Sequence, residues 1–267
     1  MKSNGNRPIH VAVAGCSGRM GRQLVNAILV SHDFCLASAS VRPGNEFAGR
    51  DIGELMGGQK REITVTDDPN ELVAGADVVI DFSSADAASN HVDLASSRRI
   101  PIVVGATGFT SQQLEMLVHS GKSNAILFAP NTSVGVAVLS QLVEVASAAL
   151  DADWDRGILD VHHRAKKDSP SGTAKLLRAA LERGFAGLSA AAGAGPNTLK
   201  VQNIEVASIR AGTIVGDHTV YFAGPGERLE LSHKAQDRAI YVRGALAAAM
   251  WLYRRPRGYY TMADVVS

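Results

Sequence analysis

Short apolar runs alternate with amphipathic segments along the first half of the chain. This pattern predicts strands at 9–14, 36–41, 63–66, 77–82, 102–105 and 125–128. The intervening segments predict helices at 19–30, 70–74, 85–97 and 112–119. Continuous apolar strands separated by helices are typical of a parallel sheet that is covered on both faces. We therefore expect an α/β protein whose N-terminal domain is a doubly wound, Rossmann-like sheet.

The pattern changes after Val134, where strands begin to follow one another through glycine-containing turns. It predicts helices from 134 to about 150 and at 173–183, and strands at 158–162, 204–210, 214–222 and 228–234. These elements indicate a second, α+β domain with a mixed sheet. We place the first domain at 1–133, completed by a C-terminal segment of about 240–267, and the second at 134–239. The Gly-, Ala- and Ser-rich stretch at 184–197 is interpreted as a mobile loop.

Composition and charge narrow the class of protein. The 267 residues suit one large or two modest domains, and 27 Lys and Arg residues nearly balance 26 Asp and Glu residues. The chain therefore lacks the excess of positive charge that would indicate a nucleic-acid partner. Cys16 and Cys35 are too few for a disulfide scaffold, and neither an apolar signal core at the start nor an uninterrupted apolar run of about 18 residues is evident. We expect a cytoplasmic protein that binds neither nucleic acid nor membrane.

A glycine-rich segment, Gly15-Cys-Ser-Gly-Arg-Met-Gly21, lies between the first predicted strand and the first predicted helix. Glycines at this position let backbone amides approach a pyrophosphate at the start of the helix, although they also simply permit a tight turn. Two further segments follow apolar strands and belong to the same edge of the predicted sheet. The candidate cofactor-binding residues are Gly15, Cys16, Ser17, Gly18, Arg19, Met20, Gly105, Ala106, Thr107, Ala129, Pro130, Asn131 and Thr132.

The end of the second predicted strand bears on the choice of nicotinamide cofactor. Many dinucleotide-binding folds place an acid there to bind the ribose hydroxyls, but this chain has Val41 followed by Arg42. A guanidinium can pair with the 2′-phosphate of NADPH, so we expect NADPH to be used at least as well as NADH. Asp33 or Glu46 could still supply the missing carboxylate, and Arg42 could be a solvated loop cation.

The most basic stretch of the second domain is Asp160-Val-His-His-Arg-Ala-Lys-Lys-Asp-Ser-Pro-Ser-Gly-Thr-Ala174. It combines cations with a predicted helix start, which is a combination that binds a small polyanion. His162 and Lys166 are candidates for proton transfer. A solvated basic loop or a nucleic-acid contact is the alternative interpretation. We predict no metal site, because adjacent histidines cannot easily ligate one ion and no other set of residues has zinc-like spacing.

These motifs resemble those of the dihydrodipicolinate reductases, also called 4-hydroxy-tetrahydrodipicolinate reductases, of lysine and diaminopimelate synthesis. The resemblance rests on the glycine loop, Gly105-Ala-Thr-Gly-Phe109, Ala129-Pro-Asn131 and the His162-to-Ala174 stretch, in order along nearly the whole chain. It implies that NAD(P)H reduces a cyclic imine dicarboxylate in a cleft between two domains. It also implies a homotetramer built through the second domain's sheet.

The resemblance further implies roles for single residues. His162 would be the acid/base residue and Lys166 the proton donor, while His163, Gly172 and Thr173 would contact substrate. The chain departs from the family at three places: Val41 replaces the usual ribose-binding acid, Thr132 stands where a bulkier residue often meets the nicotinamide, and the 184–197 segment is short and lacks an arginine.

Two other classes of protein fit parts of the pattern. Another two-domain nicotinamide oxidoreductase is one, but a semialdehyde dehydrogenase needs a thiol in the second domain, and both cysteines lie in the first. A short-chain dehydrogenase needs a Tyr-x-x-x-Lys pair, which the sequence lacks. A nicotinamide-sensing regulatory protein is the second class, and turnover would distinguish it from an enzyme.

Overall fold

A computed structural model describes residues 7–191 and 204–267. The strands are β1 (Ile9–Ala14), β2 (Phe34–Ser40), β3 (Val65–Thr66), β4 (Val78–Asp81), β5 (Ile102–Val104), β6 (Ala125–Phe128), β7 (Asp155–His162), β8 (Glu205–Arg210), β9 (Gly216–Gly224), β10 (Glu227–Ala235) and β11 (Gly258–Tyr260). The helices are α1 (Arg19–Leu29), α2 (Ile52–Leu55), α3 (Pro69–Leu72), α4 (Ala85–Ser97), α5 (Ser111–Ser120), α6 (Val134–Ala149), α7 (Gly172–Ala191), α8 (Ala239–Leu252) and α9 (Met262–Val266). Within these ranges, no helix is long and apolar enough to cross a membrane.

The first compact unit comprises Met1–Thr132 and Tyr241–Val265. Its sheet has the order β11-β6-β5-β4-β1-β2-β3, and every pair of neighbours is parallel. The chain runs outward from β1 in both directions, so the sheet is doubly wound and changes direction between β1 and β4. Its strands β5 and β6 are apolar along their length, as expected where both faces of a sheet are covered. The predicted α/β class is confirmed, while β11, α2 and α9 were not predicted.

The second compact unit comprises Ser133–Ile240 and has a sheet of order β10-β9-β7-β8. Strand β7 pairs in parallel with β8 and antiparallel with β9, so the predicted mixed sheet is confirmed. Ile158, Val220 and Phe222 point to one face and form a core with α6 and α7. The residues between them, such as Leu159 and Tyr221, point to the opposite face by the two-residue repeat of a strand.

The expected loop at 184–197 is wrong for the residues that the structure describes, because α7 continues to Ala191. A Cβ at Gly184 would lie 2.2 Å from the backbone oxygen of Glu144 in α6, so this glycine allows two helices to pack closely rather than marking a loop. Phe185 is buried beneath the guanidinium of Arg156, 4.9 Å from the ring centroid. Residues 192–197 lie outside the described residues.

Candidate active site

The glycine-rich segment forms a tight connection between β1 and α1. Gly15 has a φ of 75°, a conformation that favours glycine, and its amide donates to the carbonyl of Ser40 at 3.0 Å. A Cβ at Gly21 would lie 2.2 Å from the carbonyl oxygen of Gly15, so α1 can pack on the loop only with glycine there. Gly18, the N-cap of α1, leaves the first amides of an 11-residue helix without a side-chain cap. This arrangement can bind a phosphate.

The side chains of the loop differ in what they can offer a ligand. Cys16 is fully buried, and burial raises the pKa of its thiol to about 12, so it serves as a packing group and can present only its backbone. Gly18 and Arg19 are exposed, while Ser17 and Met20 are partly buried. Arg22 donates from Nε to the carbonyl of Ser17 at 3.1 Å and so holds the outer side of the loop.

The other predicted cofactor residues lie at the same edge of the sheet as this loop. Strands β1, β4, β5 and β6 are parallel neighbours, so the segments at 105–107 and 129–132 follow the carboxyl ends of adjacent strands. Gly105, Ala106 and Ala129 are buried, whereas Thr107 and Pro130 are exposed and Asn131 is half-buried. Thr132 is buried and donates its hydroxyl to the carbonyl of Tyr241 at 2.7 Å, so this hydroxyl is engaged within the unit.

A buried pair that sequence reasoning missed shapes the turn after β4. Asp81 is fully buried, accepts from the amide and hydroxyl of Ser83, and lies 2.7 Å from Nδ1 of His91. The turn places Phe82 against the backbone of Gly105, where a Cβ would approach the Phe82 ring to 2.3 Å. Asp81 therefore fixes the turn between two predicted cofactor-binding strand ends.

The end of β2 has the composition that was predicted to favour NADPH. Val41 is buried and Arg42 is exposed. Asp33 is at the opposite, amino end of β2, where its carbonyl accepts from the amide of Ile9 at 2.9 Å. Asp33 therefore cannot replace the missing acid, whereas Glu46 is exposed in the loop that follows Arg42.

In the second unit, the end of β7 supplies the predicted acid/base residue. His162 is only 6% exposed, and its Nδ1 lies 2.9 Å from Oδ1 of Asp160. Its Nε2 faces Gly216 of β9, where a Cβ would approach to 2.9 Å. Burial is the main influence that lowers the pKa of His162, opposed by the negative charge of Asp160. His162 is therefore a buried, neutral imidazole at pH 7.

Asp160 is the centre of a buried polar cluster that sequence reasoning did not identify. It is fully buried, and its Oδ2 accepts from the amide of Ser171, from Nη2 of Arg210 and from the hydroxyl of Ser208 at 3.0, 3.0 and 3.2 Å. Burial opposes its ionisation, but the hydrogen bonds from Ser171 and Arg210, and the charge that His162 carries when it is protonated at low pH, outweigh it and lower the pKa of Asp160 to about 2. The cluster therefore contains an ionised carboxylate.

A second histidine, His218 of β9, was also missed. Its Nε2 lies 3.3 Å from Oδ1 of Asp160 and 3.2 Å from the hydroxyl of Ser171. Its ring meets that of His162 edge to face, with centroids 5.1 Å apart. Burial, together with the charge that His162 carries when it is protonated at low pH, lowers the pKa of His218 to about 4. His218 is thus a neutral imidazole at pH 7, and its ring contacts that of His162.

Lys166 lies in the loop between β7 and α7, with its Nζ 2.9 Å from Oδ1 of Asp168. The hydrogen bond from Lys166 lowers the pKa of Asp168. His163 is half-buried, and Nη2 of Arg238 lies 3.3 Å from its Nε2. Arg238 is a further cation of the site that sequence reasoning missed, since it is distant in sequence from the basic stretch.

The N-terminus of α7 completes the group of residues predicted in the second unit. Ser171 is buried, and its hydroxyl accepts from the amide of Ala174 at 3.1 Å, which caps the helix. Gly172 is exposed and Thr173 is largely buried. A 20-residue helix therefore begins directly beside the cationic loop, so the positive end of its dipole lies at that loop.

Among the described residues, Asp160, His162 and His218 place possible metal-ligating atoms within 4.8 Å of one another. However, the guanidinium of Arg210 already contacts the carboxylate of Asp160 at 3.0 Å, which adds a positive charge where a cation would have to bind. The donor set fits a hydrogen-bonded cluster better than a metal site. The absence of a metal cofactor stays a prediction.

Comparison with known proteins places the whole chain in one family. The family model described as dihydrodipicolinate reductase, N-terminus, matches residues 9–132, and the one described as dihydrodipicolinate reductase, C-terminus, matches residues 135–266. A 4-hydroxy-tetrahydrodipicolinate reductase of Aromatoleum aromaticum is 41% identical over 97% of this chain and 95% of that protein. One of Cereibacter sphaeroides is 42% identical over 96% of this chain and 97% of that protein.

Solved structures agree at the level of the fold. A dipicolinate-bound dihydrodipicolinate reductase from Paenisporosarcina sp. TG-14 superposes with a TM-score of 0.75 at 21% identity, covering 95% of this chain and 97% of that one. A diaminopimelate dehydrogenase from C. glutamicum has the lower TM-score of 0.56 at 14% identity, over 98% and 96% of the two chains.

Proposed function

Because the chain belongs to the dihydrodipicolinate reductase family, we propose that it reduces 4-hydroxy-tetrahydrodipicolinate to tetrahydrodipicolinate with NAD(P)H, in diaminopimelate and lysine biosynthesis. The observation that supports this reaction most strongly is the group of cations after β7, where Lys166 lies in the loop that leads to α7 and Arg238 contacts His163. A substrate with two carboxylates needs such a group of cations and helix-end amides.

The first unit is proposed to bind the cofactor. The loop from Gly15 to Met20 offers uncapped helix amides for the pyrophosphate, and the segments at 105–107 and 129–132 follow neighbouring strand ends for the rest of the dinucleotide. The steric requirement for glycine at 15 and 21 fits a cradle that approaches phosphate closely. When bound, NAD(P)H supplies the hydride.

The second unit is proposed to bind the substrate and to supply the matching proton. His163, Gly172 and Thr173 are assigned to carboxylate binding, since Gly172 and Thr173 lie at the positive end of the α7 dipole. Lys166 is assigned as the proton donor, because it is a partly exposed cation in the loop that leads to the start of α7. His162 is assigned as an acid/base residue, and its lowered pKa means that it enters the reaction as the neutral imidazole.

Arg42 is proposed to make NADPH at least as good a cofactor as NADH. It is exposed at the carboxyl end of β2, and the preceding Val41 is buried and uncharged. Asp33 is at the opposite end of the strand, so the guanidinium of Arg42 is the charge closest in sequence to Val41, the usual position of the ribose-binding acid. The 2′-phosphate would therefore meet attraction rather than repulsion.

We also propose a homotetramer located in the cytoplasm. The face of the second unit's sheet that does not pack on α6 and α7 includes a concavity lined by Gly157, Leu159, Glu205, Ala207 and Tyr221. Apolar side chains on such a face favour association with another copy of the sheet. Light scattering coupled to size-exclusion chromatography measures the oligomer, and a monomer at micromolar concentration would contradict this assignment.

The decisive experiment is a cofactor-oxidation assay that is coupled to the preceding synthase, run separately with NADPH and NADH. We expect oxidation of the nucleotide only when the precursor is supplied, and inhibition by pyridine-2,6-dicarboxylate, a planar dianion of similar shape. If the purified, folded protein oxidises neither nucleotide under these conditions, the proposal is wrong.

A further inference from the structure

The buried carboxylate of Asp160 connects three parts of the proposed substrate site through its non-covalent contacts. Oδ1 of Asp160 lies 2.9 Å from Nδ1 of His162, and Oδ2 accepts from the amide of Ser171, the residue before α7, at 3.0 Å. Oδ2 also accepts from Nη2 of Arg210 at 3.0 Å, and the same nitrogen donates to the carbonyl of Asp168 at 2.8 Å. The imidazole, the helix start and the loop that holds Lys166 are thus joined through a single side chain.

We propose that Asp160 is a positioning residue for this reaction: its carboxylate holds His162, the N-terminus of α7 and the Lys166 loop in one arrangement and keeps the proton of His162 on Nδ1. The inference rests on the proposed function, because it concerns how the same site is assembled. Asp160 does not act on substrate itself. Its effect passes through the groups that it orients.

The assignment of the proton follows from the charge that faces Nδ1. At 2.9 Å, an Nδ1 without a hydrogen would direct its lone pair at the negatively charged Oδ1, which is repulsive, so this ring nitrogen bears a hydrogen although the contact lacks the geometry of a hydrogen bond. In a neutral His162 this leaves Nε2 as the acceptor nitrogen, on the side of the ring that faces Gly216. Nε2 of His218 lies 3.3 Å from the same Oδ1 and 3.2 Å from the hydroxyl of Ser171.

The charged groups around His162 come from several elements. Asp160 lies on β7, Arg210 on β8, His218 on β9, and Lys166 on the loop after β7. The charge of His233 of β10 also contributes to lowering the pKa of His218. Asp168 is a further anion, but it pairs with Lys166, and the charges that shift the pKa of His162 are those of Asp160, Lys166 and Arg210. Without the charge of Asp160, two cations would therefore dominate the surroundings of the imidazole. Removing the charge therefore perturbs both the tautomer and the position of the ring.

Asp160→Asn is the direct test, since asparagine has the same shape but lacks the charge. Losing a hydrogen bond to an ionised group corresponds to roughly a 10- to 100-fold effect, and we expect kcat to fall by that factor. The Kd of NADPH should stay within about twofold, because the glycine loop belongs to the first unit. Asp155→Asn is the matched control: it makes the same change at an exposed position of the same strand, and its kcat should equal that of the unchanged protein.

A spectroscopic measurement tests the proposal even if Asp160→Asn does not fold. In the unchanged protein labelled with ¹⁵N-histidine, nitrogen chemical shifts at pH 7 should show His162 protonated at Nδ1 and unprotonated at Nε2. The His162 signal is identified by its loss in His162→Gln. Where Asp160→Asn does fold, its His162 should shift toward the other tautomer.

Three results would overturn the proposal: a folded Asp160→Asn with unchanged kcat, an equal loss of NADPH affinity, or an Nε2-protonated His162 in the unchanged protein. These outcomes are distinct from a failure of the proposed function. If the unchanged protein does not reduce the precursor, the function is wrong, whereas the inference about Asp160 fails only on the variant or on the tautomer.

Discussion

Replacing Gly21 with alanine adds one methyl group at the point where α1 packs on the glycine loop. The new Cβ would lie 2.2 Å from the carbonyl oxygen of Gly15 and 2.7 Å from Cα of Cys16. An unstrained contact is about 3.5 Å, so the helix and the loop must separate by roughly 1 Å. Both obstructing atoms belong to the backbone, and no side-chain rotation can relieve the clash.

The expected cost follows from this displacement. Overpacking of this kind costs about 1–3 kcal/mol. Where the strain displaces the amides that bind phosphate, this cost is measured as a loss of cofactor affinity. We expect the Kd of NADPH to rise by roughly 5- to 100-fold, since about 1.4 kcal/mol corresponds to tenfold. Titration of NADPH fluorescence measures this Kd, and calorimetry at the same time measures the melting temperature.

Gly187→Ala supplies the matched control for Gly21→Ala. Gly187 lies in α7, and among the described atoms nothing would come within 4 Å of its Cβ. This variant should bind NADPH normally and gain about 0.5–1 kcal/mol of stability from alanine's higher helix propensity. If Gly21→Ala binds NADPH within twofold of the unchanged protein and melts at the same temperature, the close packing of α1 on the loop is not what shapes the cofactor site.

Three further predictions concern charges. Arg42→Ala should lower kcat/KM for NADPH by about tenfold while leaving NADH turnover unchanged, and an equal loss with both cofactors would contradict the role in 2′-phosphate binding. Lys166→Ala should lower kcat by roughly 10²- to 10⁴-fold with NADPH affinity intact, whereas Lys167→Ala, an exposed neighbour, should have little effect. The pKa of His218 is lowered from 6.5 to about 4, so the unfolded chain binds more protons than the folded protein between these pH values. The protein should therefore lose up to about 3 kcal/mol of its free energy of unfolding as the pH falls from 6.5 to 4. Urea unfolding as a function of pH measures this loss. If the unfolding free energy of a His218→Gln variant falls with pH just as steeply, another group causes the loss.

Local pattern was enough to predict most of the first unit. The strand at Ile9–Ala14 and the helix at Ala85–Ser97 begin and end where their apolar periodicity predicts. Strand β11 was not predicted, because Gly258–Tyr260 is too short for periodicity to be read and is ordered by pairing with β6. The helix at 184–191 was missed because its composition resembles that of a linker, whereas its packing against α6 decides its structure.

The buried polar cluster around Asp160 in the second unit was harder to predict from the sequence. Asp160 alternates with Ile158 and His162 on the inward face of β7, and a charge at an inward position requires partners. Its partners could not be read from the sequence, because Arg210 is 50 residues away and reaches Asp160 only through the pairing of β7 with β8. His218 lies opposite Asp160 through the pairing of β7 with β9. Strand register, rather than any local motif, brings these residues together.

The position of Asp160 also explains why a buried charge is suited to this site. Burying a carboxylate costs free energy, and an ion pair in an interior adds little net stability compared with apolar packing. Strand β7 has β9 on one side and β8 on the other, so Asp160 can receive donors from both neighbours as well as from the helix that follows. An apolar residue at this position could also pack, but it could not attract an imidazole and at the same time accept hydrogen bonds from a helix start and an arginine. What the buried charge contributes is therefore orientation of the groups that surround the substrate, and its removal should affect turnover more than cofactor binding.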